Sequence, residues 1–87
     1  MKIREGFLLR KVGESFVVIP VGESSVDFSN VITLNGTGAF IWECLEQAKP
    51  RTEIIAALMK EYAVEKDIAE RDVDIFIDRL EENDLLA

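Results

Sequence analysis

The order of apolar patterns along this chain predicts an α+β fold in which a small antiparallel sheet precedes a bundle of three helices. Residues 7–34 hold three short β-rich runs separated by Gly-containing and polar segments. From residue 36 onward the apolar residues recur at helical spacing instead. With 87 residues, 48% of them hydrophobic and 31% charged, the chain is too apolar for disorder and sized for a single domain over residues 1–87. A core this small leaves little room for a deep, water-excluding catalytic cleft.

Phe7 to Arg10 and Phe16 to Ile19 form the first two strand candidates, and Gly13 between them marks a hairpin. Pro20 and Gly22 end the second run, and the polar stretch from Gly22 to Asn30 reads as a loop. Val31 to Leu34 is the third strand candidate, with β-branched residues at three of four positions. Asn35-Gly36 could be a hairpin turn or a helix start. The residues after Gly36 decide between them, because Phe40, Ile41, Cys44, Leu45 and Ala48 keep a helical period and no alternating strand appears. Asn35 therefore caps a helix running to about Gln47. Lys49-Pro50 breaks it, and Thr52 is the expected cap of a second helix with a stripe of Ile54, Ile55, Leu58, Met59 and Tyr62. A third helix spans about Asp67 to Glu82, with Asn83 as its C-terminal cap and Leu85-Leu86 folding back on the core. A small sheet beside three helices is a winged-helix-like arrangement.

Composition removes several function classes. The chain has no His and one Cys, Cys44, so His-based acid–base chemistry, a Cys–His pair, an internal disulfide and the usual zinc sets are excluded. Cys44 falls in the apolar stripe of the first helix and reads as a small core residue, as Trp42 reads as packed on the sheet or a neighbouring helix. No catalytic residue, metal site or cofactor is expected. Gly36-Thr37-Gly38 lacks the Lys and the length of a phosphate loop. No apolar run is long enough for a membrane span, so a cytoplasmic protein is expected. The net charge is −7, and it is local: residues 1–50 carry five basic and six acidic groups, residues 51–87 five and eleven. From Asp67 to Glu82 there are seven acidic residues and two basic, which argues against nucleic acid as a partner.

The third helix carries two apolar stripes. Ala69, Val73, Phe76, Ile77 and Leu80 share one face, whereas Ile68 and Ile75 lie well off it, beside Asp72 and Arg79. One reading has loop residues or Leu85-Leu86 covering the two isoleucines. The other has an open groove between this helix and a sheet edge, where an extended peptide adds as a strand. A homodimer contact is the third.

The segment Val31-Ile32-Thr33-Leu34-Asn35-Gly36-Thr37-Gly38-Ala39-Phe40-Ile41-Trp42-Glu43 resembles the I-x-L-N-x-T-G-x-x-I-W-E block of the PqqD family. These are small peptide chaperones named from pyrroloquinoline quinone biosynthesis, whose domain is also called the recognition element of ribosomally made, modified peptides. Thr52 to Leu58 resembles the family's second helix, and Asp72-Val73, Phe76, Leu80 and Leu85-Leu86 resemble its D-V-x-x-F-x-x-x-L close. The resemblance runs from about Phe7 to Leu86. Gly36 departs from it, standing where many members carry a charged residue.

The resemblance implies a three-strand, three-helix domain with no catalytic activity of its own. It implies binding of the leader segment of a precursor peptide beside the third strand and against the third helix, and presentation to a modifying enzyme, often of the radical S-adenosylmethionine type. Carried onto this chain, the peptide-binding residues are Val31, Ile32, Thr33 and Leu34 on the strand and Ile68, Asp72, Ile75 and Arg79 on the helix. The alternative is a small acidic winged-helix scaffold or dimerisation module with no extended ligand. A carrier protein is disfavoured, because Ser15, Ser24, Ser25 and Ser29 all lie in the strand region and none follows an Asp.

Overall fold

The computed structural model describes residues 2–21 and 32–86. Strands β1 (Phe7–Val12), β2 (Ser15–Pro20) and β3 (Ile32–Leu34) precede helices α1 (Gly36–Glu46), α2 (Arg51–Tyr62) and α3 (Lys66–Glu82). The sheet is antiparallel in the order β1-β2-β3. Val18 of β2 stands opposite both Leu9 and Ile32, and Phe16 faces Leu34. The β1–β2 turn is tighter than the sequence indicates. Val12 pairs with Ser15, leaving only Gly13 and Glu14 between the strands. Gly13 has φ +62°, while Glu14 stays at negative φ. A positive φ at the first central position alone is the type II′ pattern, which matches strand twist and needs glycine there. The loop expected over Gly22 to Asn30, and Val31 of the third strand, lie outside the described residues.

Asn35 is the cap of α1, and its side-chain oxygen accepts from the Gly38 N–H at 2.7 Å. The cap places the first turn of α1 directly after β3. Gly38 then lies so close to α3 that an added Cβ would sit 3.1 Å from Phe76 Cε1 and 3.2 Å from Asn35 Oδ1. Helix α2 begins slightly earlier than expected. Pro50 is its N-cap and makes no side-chain cap bond, so Thr52 lies inside the first turn. Proline's fixed φ and missing N–H suit the start of a helix, and the chain enters α2 from an extended residue without a hydroxyl cap. Helix α3 ends at Asn83, which donates from Nδ2 to the Arg79 carbonyl. Asp84 turns left-handed at φ +58°, and the Leu85 N–H returns to the Leu80 carbonyl. Leu85 is buried, its carbonyl accepts from the Arg4 N–H, and Ile3 bridges to Leu86, which ties the two ends of the chain together.

The core lies between one face of the sheet and the helices. Val18, Ile41, Trp42, Leu45, Ile54, Leu58, Leu80 and Leu85 are its most buried members. Trp42 is fully buried, and its indole N–H has no hydrogen-bond partner among the described residues. Cys44 is buried in the same core, and burial pushes its thiol above the ordinary range. Across the helix pair, Arg51 at the start of α2 grips Asp74 of α3 through two parallel bonds of 2.8 and 2.9 Å. Among the described residues no helix is long and apolar enough to cross a membrane.

Candidate functional site

Strand β3 pairs with β2 on one side, and its other side is open among the described residues. Side chains alternate along a strand, so Ile32 and Leu34 point into the core and Thr33 points away from it. What β3 offers to a partner is thus its backbone edge and the Thr33 side chain. On that open side stands α3, whose Arg79 reaches the Thr33 carbonyl and whose Asp72, Ile75 and Phe76 share a depression with Leu34. The main apolar face of α3 is spent on the core, since Ala69, Val73, Phe76, Ile77 and Leu80 are all buried.

The second stripe of α3 stays uncovered. Ile75 is 60% exposed and Ile68 38%, so neither the chain's C-terminal leucines nor any other described residue covers them. Asp72 is half-buried beside Ile75, and Arg79 is exposed one turn further on. A shallow depression of about 240 Å³ opens between this stripe and the junction of β3 with α1. Leu34, Ile41 and Phe76 supply its apolar surface, Asp72, Ile75 and Arg79 its α3 wall, and Asn35, Thr37 and Gly38 its opposite rim. Arg79 reaches across the depression, and its Nη2 donates to the Thr33 carbonyl at 3.1 Å.

Of the residues expected from the sequence, Leu34, Asp72, Ile75 and Arg79 come together around this depression, with Thr33 joined to them through Arg79. Ile32 contributes backbone only, because its side chain is 7% exposed. Ile68 is exposed on the same stripe but does not line the depression. The first turn of α1 joins the site without being expected from the sequence. The signal for it is Gly38, a glycine inside a helical pattern with no turn to make, which marks a close backbone approach.

The rim has one carboxylate and one guanidinium on either side of an exposed isoleucine. Among the described residues no group of three or more His, Cys, Asp or Glu side chains is placed to hold a metal ion. Cys44, with its thiol raised by burial, lies in the core and not in the depression.

Two solved structures share this architecture. TbiB1 in complex with the TbiA(beta) leader peptide is similar at a TM-score of 0.78 and 28% identity, over 99% of this chain and 94% of that one. A lasso peptide synthetase B1 complexed with its leader peptide is similar at 0.75 and 24% identity, over 97% and 93%, and there the likeness is one of fold. No curated protein matches the chain. The family profile of coenzyme PQQ synthesis protein D (PqqD) matches residues 14–86, which takes in β2, β3 and all three helices, and the chain belongs to the PqqD family.

Proposed function

We propose that this chain binds the leader segment of a ribosomally made precursor peptide as an added strand on β3, packed against α3, and presents it to a modifying enzyme. The observation that carries this reading is the edge of β3 that stays unpaired among the described residues, with exposed Ile75 and Arg79 and half-buried Asp72 of α3 lining the depression beside it and Ile68 exposed further along the same stripe. An open edge supplies backbone hydrogen bonds to an extended peptide of any sequence, and the helix stripe supplies apolar and charged contacts that select among them. Membership of the PqqD family, and similarity to TbiB1 with its bound leader peptide, support the same reading.

On this view the chain is not itself a catalyst. It works in the cytoplasm, where precursor peptides are made, and its partner is the enzyme that modifies that precursor, the radical S-adenosylmethionine type being one the family resemblance admits. Of the residues named, Val31 to Leu34 provide the backbone edge, with the Thr33 side chain beside it and Leu34 at the floor of the depression; Ile75 is the apolar anchor, Ile68 stands at the rim, and Asp72 and Arg79 read charge.

The test is a titration of isotope-labelled protein with the leader of the precursor encoded beside it, followed through backbone amide shifts. Strand addition predicts shifts concentrated on residues 31–34 and 68–79. Shifts spread over the β1 edge, or self-association at β3 with no response to leader, would replace this reading with that of a dimerisation module.

A further inference from the structure

Resting on the leader-binding reading, the position of Arg79 has a consequence for which leaders are taken. Backbone polar groups alternate in direction along a strand, so in a three-residue strand either the middle residue or the outer two face the open side. Arg79 lies on the helix beyond that open side, and it reaches the carbonyl of the middle residue, Thr33, at 3.1 Å. Thr33 is therefore the residue of β3 whose N–H and C=O an added strand must meet. Its carbonyl already holds one hydrogen bond, from a guanidinium that stands on the side from which the added strand approaches.

The choice of partner by Arg79 is informative. Asp78 and Glu82 lie on the same helix, Glu82 three residues on and within side-chain reach. Among the described residues Arg79 nevertheless forms no ion pair, and its guanidinium hydrogen bond goes to the neutral carbonyl across the depression. Guanidinium groups bind carboxylates more strongly than neutral carbonyls, and often through two bonds. A guanidinium resting on a carbonyl is thus one that a suitably placed carboxylate can take away.

We infer that Arg79 is a displaceable cap on the edge of β3, and that its release makes leader binding selective for a peptide carrying a carboxylate beside the residue that pairs with Thr33. Strand addition is then an exchange. The guanidinium leaves the Thr33 carbonyl, a leader N–H replaces it there, and the freed guanidinium closes on the leader's Asp or Glu. A peptide lacking that carboxylate releases the guanidinium to water only, and forgoes the ion pair. Edge pairing alone does not distinguish sequences, and this exchange adds a selection step at the edge itself.

The experiment compares wild-type protein, Arg79→Met and Arg79→Lys. The probes are the leader of the neighbouring precursor, the TbiA(beta) leader, and versions of each in which every Asp and Glu is changed singly to Asn or Gln. Without peptide, Arg79→Met is expected to move the Leu34 amide shift, which reports hydrogen bonding at the Thr33 carbonyl. With peptide, one carboxylate-to-amide change should weaken binding to the wild type by roughly two- to fivefold, the range of an exposed ion pair. The same change should have no effect on Arg79→Met. Amide-substituted leaders should associate with Arg79→Met about two- to tenfold faster than with the wild type, because no cap has to leave. Arg79→Lys should keep part of the carboxylate preference. If the leaders bind and Arg79→Met alters neither the association rate nor the carboxylate preference, the cap is overturned while the proposed function stands. If neither leader shifts residues 33–34 or 68–79 of any variant, the proposed function falls and the cap falls with it.

Discussion

Ile75 and Gly38 bound the depression from opposite sides, and they make opposite demands on a mutation. Ile75 is 60% exposed, so Ile75→Asp should change stability by no more than about 0.5 kcal/mol. On the proposed function it places a carboxylate where a leader's apolar side chain packs, beside Asp72, and leader affinity should fall tenfold or more. Fluorescence anisotropy with a labelled leader, beside a denaturant curve, separates the two effects. Unchanged affinity would remove Ile75 from the site. Gly38 has no such separation. A methyl group there meets Phe76 at 3.1 Å, Asn35 Oδ1 at 3.2 Å and Leu34 Cβ at 3.4 Å. Accommodating it requires the Phe76 ring and the Asn35 cap to give by a few tenths of an ångström, which works against the gain in helix propensity, and Gly38→Ala is expected to cost about 1 kcal/mol and to narrow the depression. Asn35→Ala should cost a similar ~1 kcal/mol by another route, through loss of the bond to the Gly38 N–H. Urea denaturation of the three variants checks all of these values.

The elements were readable from the sequence wherever one physical signal dominated. Asn35-Gly36 is ambiguous by itself, but the helical period of Phe40, Ile41, Cys44 and Leu45 admits only the cap, and the cap is what forms. The second stripe of α3 was readable because Ile68 and Ile75 fall off the angular sector of the core residues, and both are exposed. Tertiary context hid other features. Trp42 lies off the main stripe of α1 yet is fully buried, because α1 meets β2 and β3 as well as α2 and α3, and a wheel drawn for one buried face undercounts such a helix. Thr52 loses the capping position to Pro50. The Arg51–Asp74 grip joins residues 23 apart, and no local pattern announces it. That grip has its own test. The Arg51 guanidinium, first through its hydrogen bond and then through its charge, holds the Asp74 carboxyl below its usual range. The contribution of the pair to stability is therefore complete above the ordinary aspartate pKa of about 3.9 and is lost as pH falls through the lower folded value. Wild type should be more stable than Asp74→Asn at pH 7, with the difference closing below about pH 4. Both side chains are about half exposed, so added salt should shrink the difference at pH 7 as well. Thermal melts of the two proteins across pH and salt would show it, and a gap that persisted unchanged at low pH would mean the grip contributes nothing.

At the scale of the whole molecule, β3 is the element with the most to gain from a partner. Its described part is three residues long and pairs on one side, and the site formed around it draws on the edge of the sheet, the first turn of α1 and the uncovered stripe of α3. A peptide seated there as a fourth strand would contact all three at once. Binding that is specific to the folded state stabilises by mass action, about 2.7 kcal/mol at a leader concentration one hundred times its dissociation constant. For a domain of this size each kcal/mol moves the melting temperature by about 4 to 8 °C, so a saturating leader should raise it by roughly 10 to 20 °C. Mass action alone gives this rise to any ligand of the native state, so the informative comparison is between leaders. Methylating the one leader nitrogen that meets the Thr33 carbonyl removes a ladder hydrogen bond and leaves every side chain intact. Roughly half of the thermal shift should then disappear, whereas methylation at the adjacent residue, whose N–H points to solvent in an added strand, should cost far less. A period of two in the loss of thermal shift along the leader is the signature of strand addition. Equal losses at every position, or none at any, would mean that the leader is held by side chains alone and that the open edge of β3 is not what binds it.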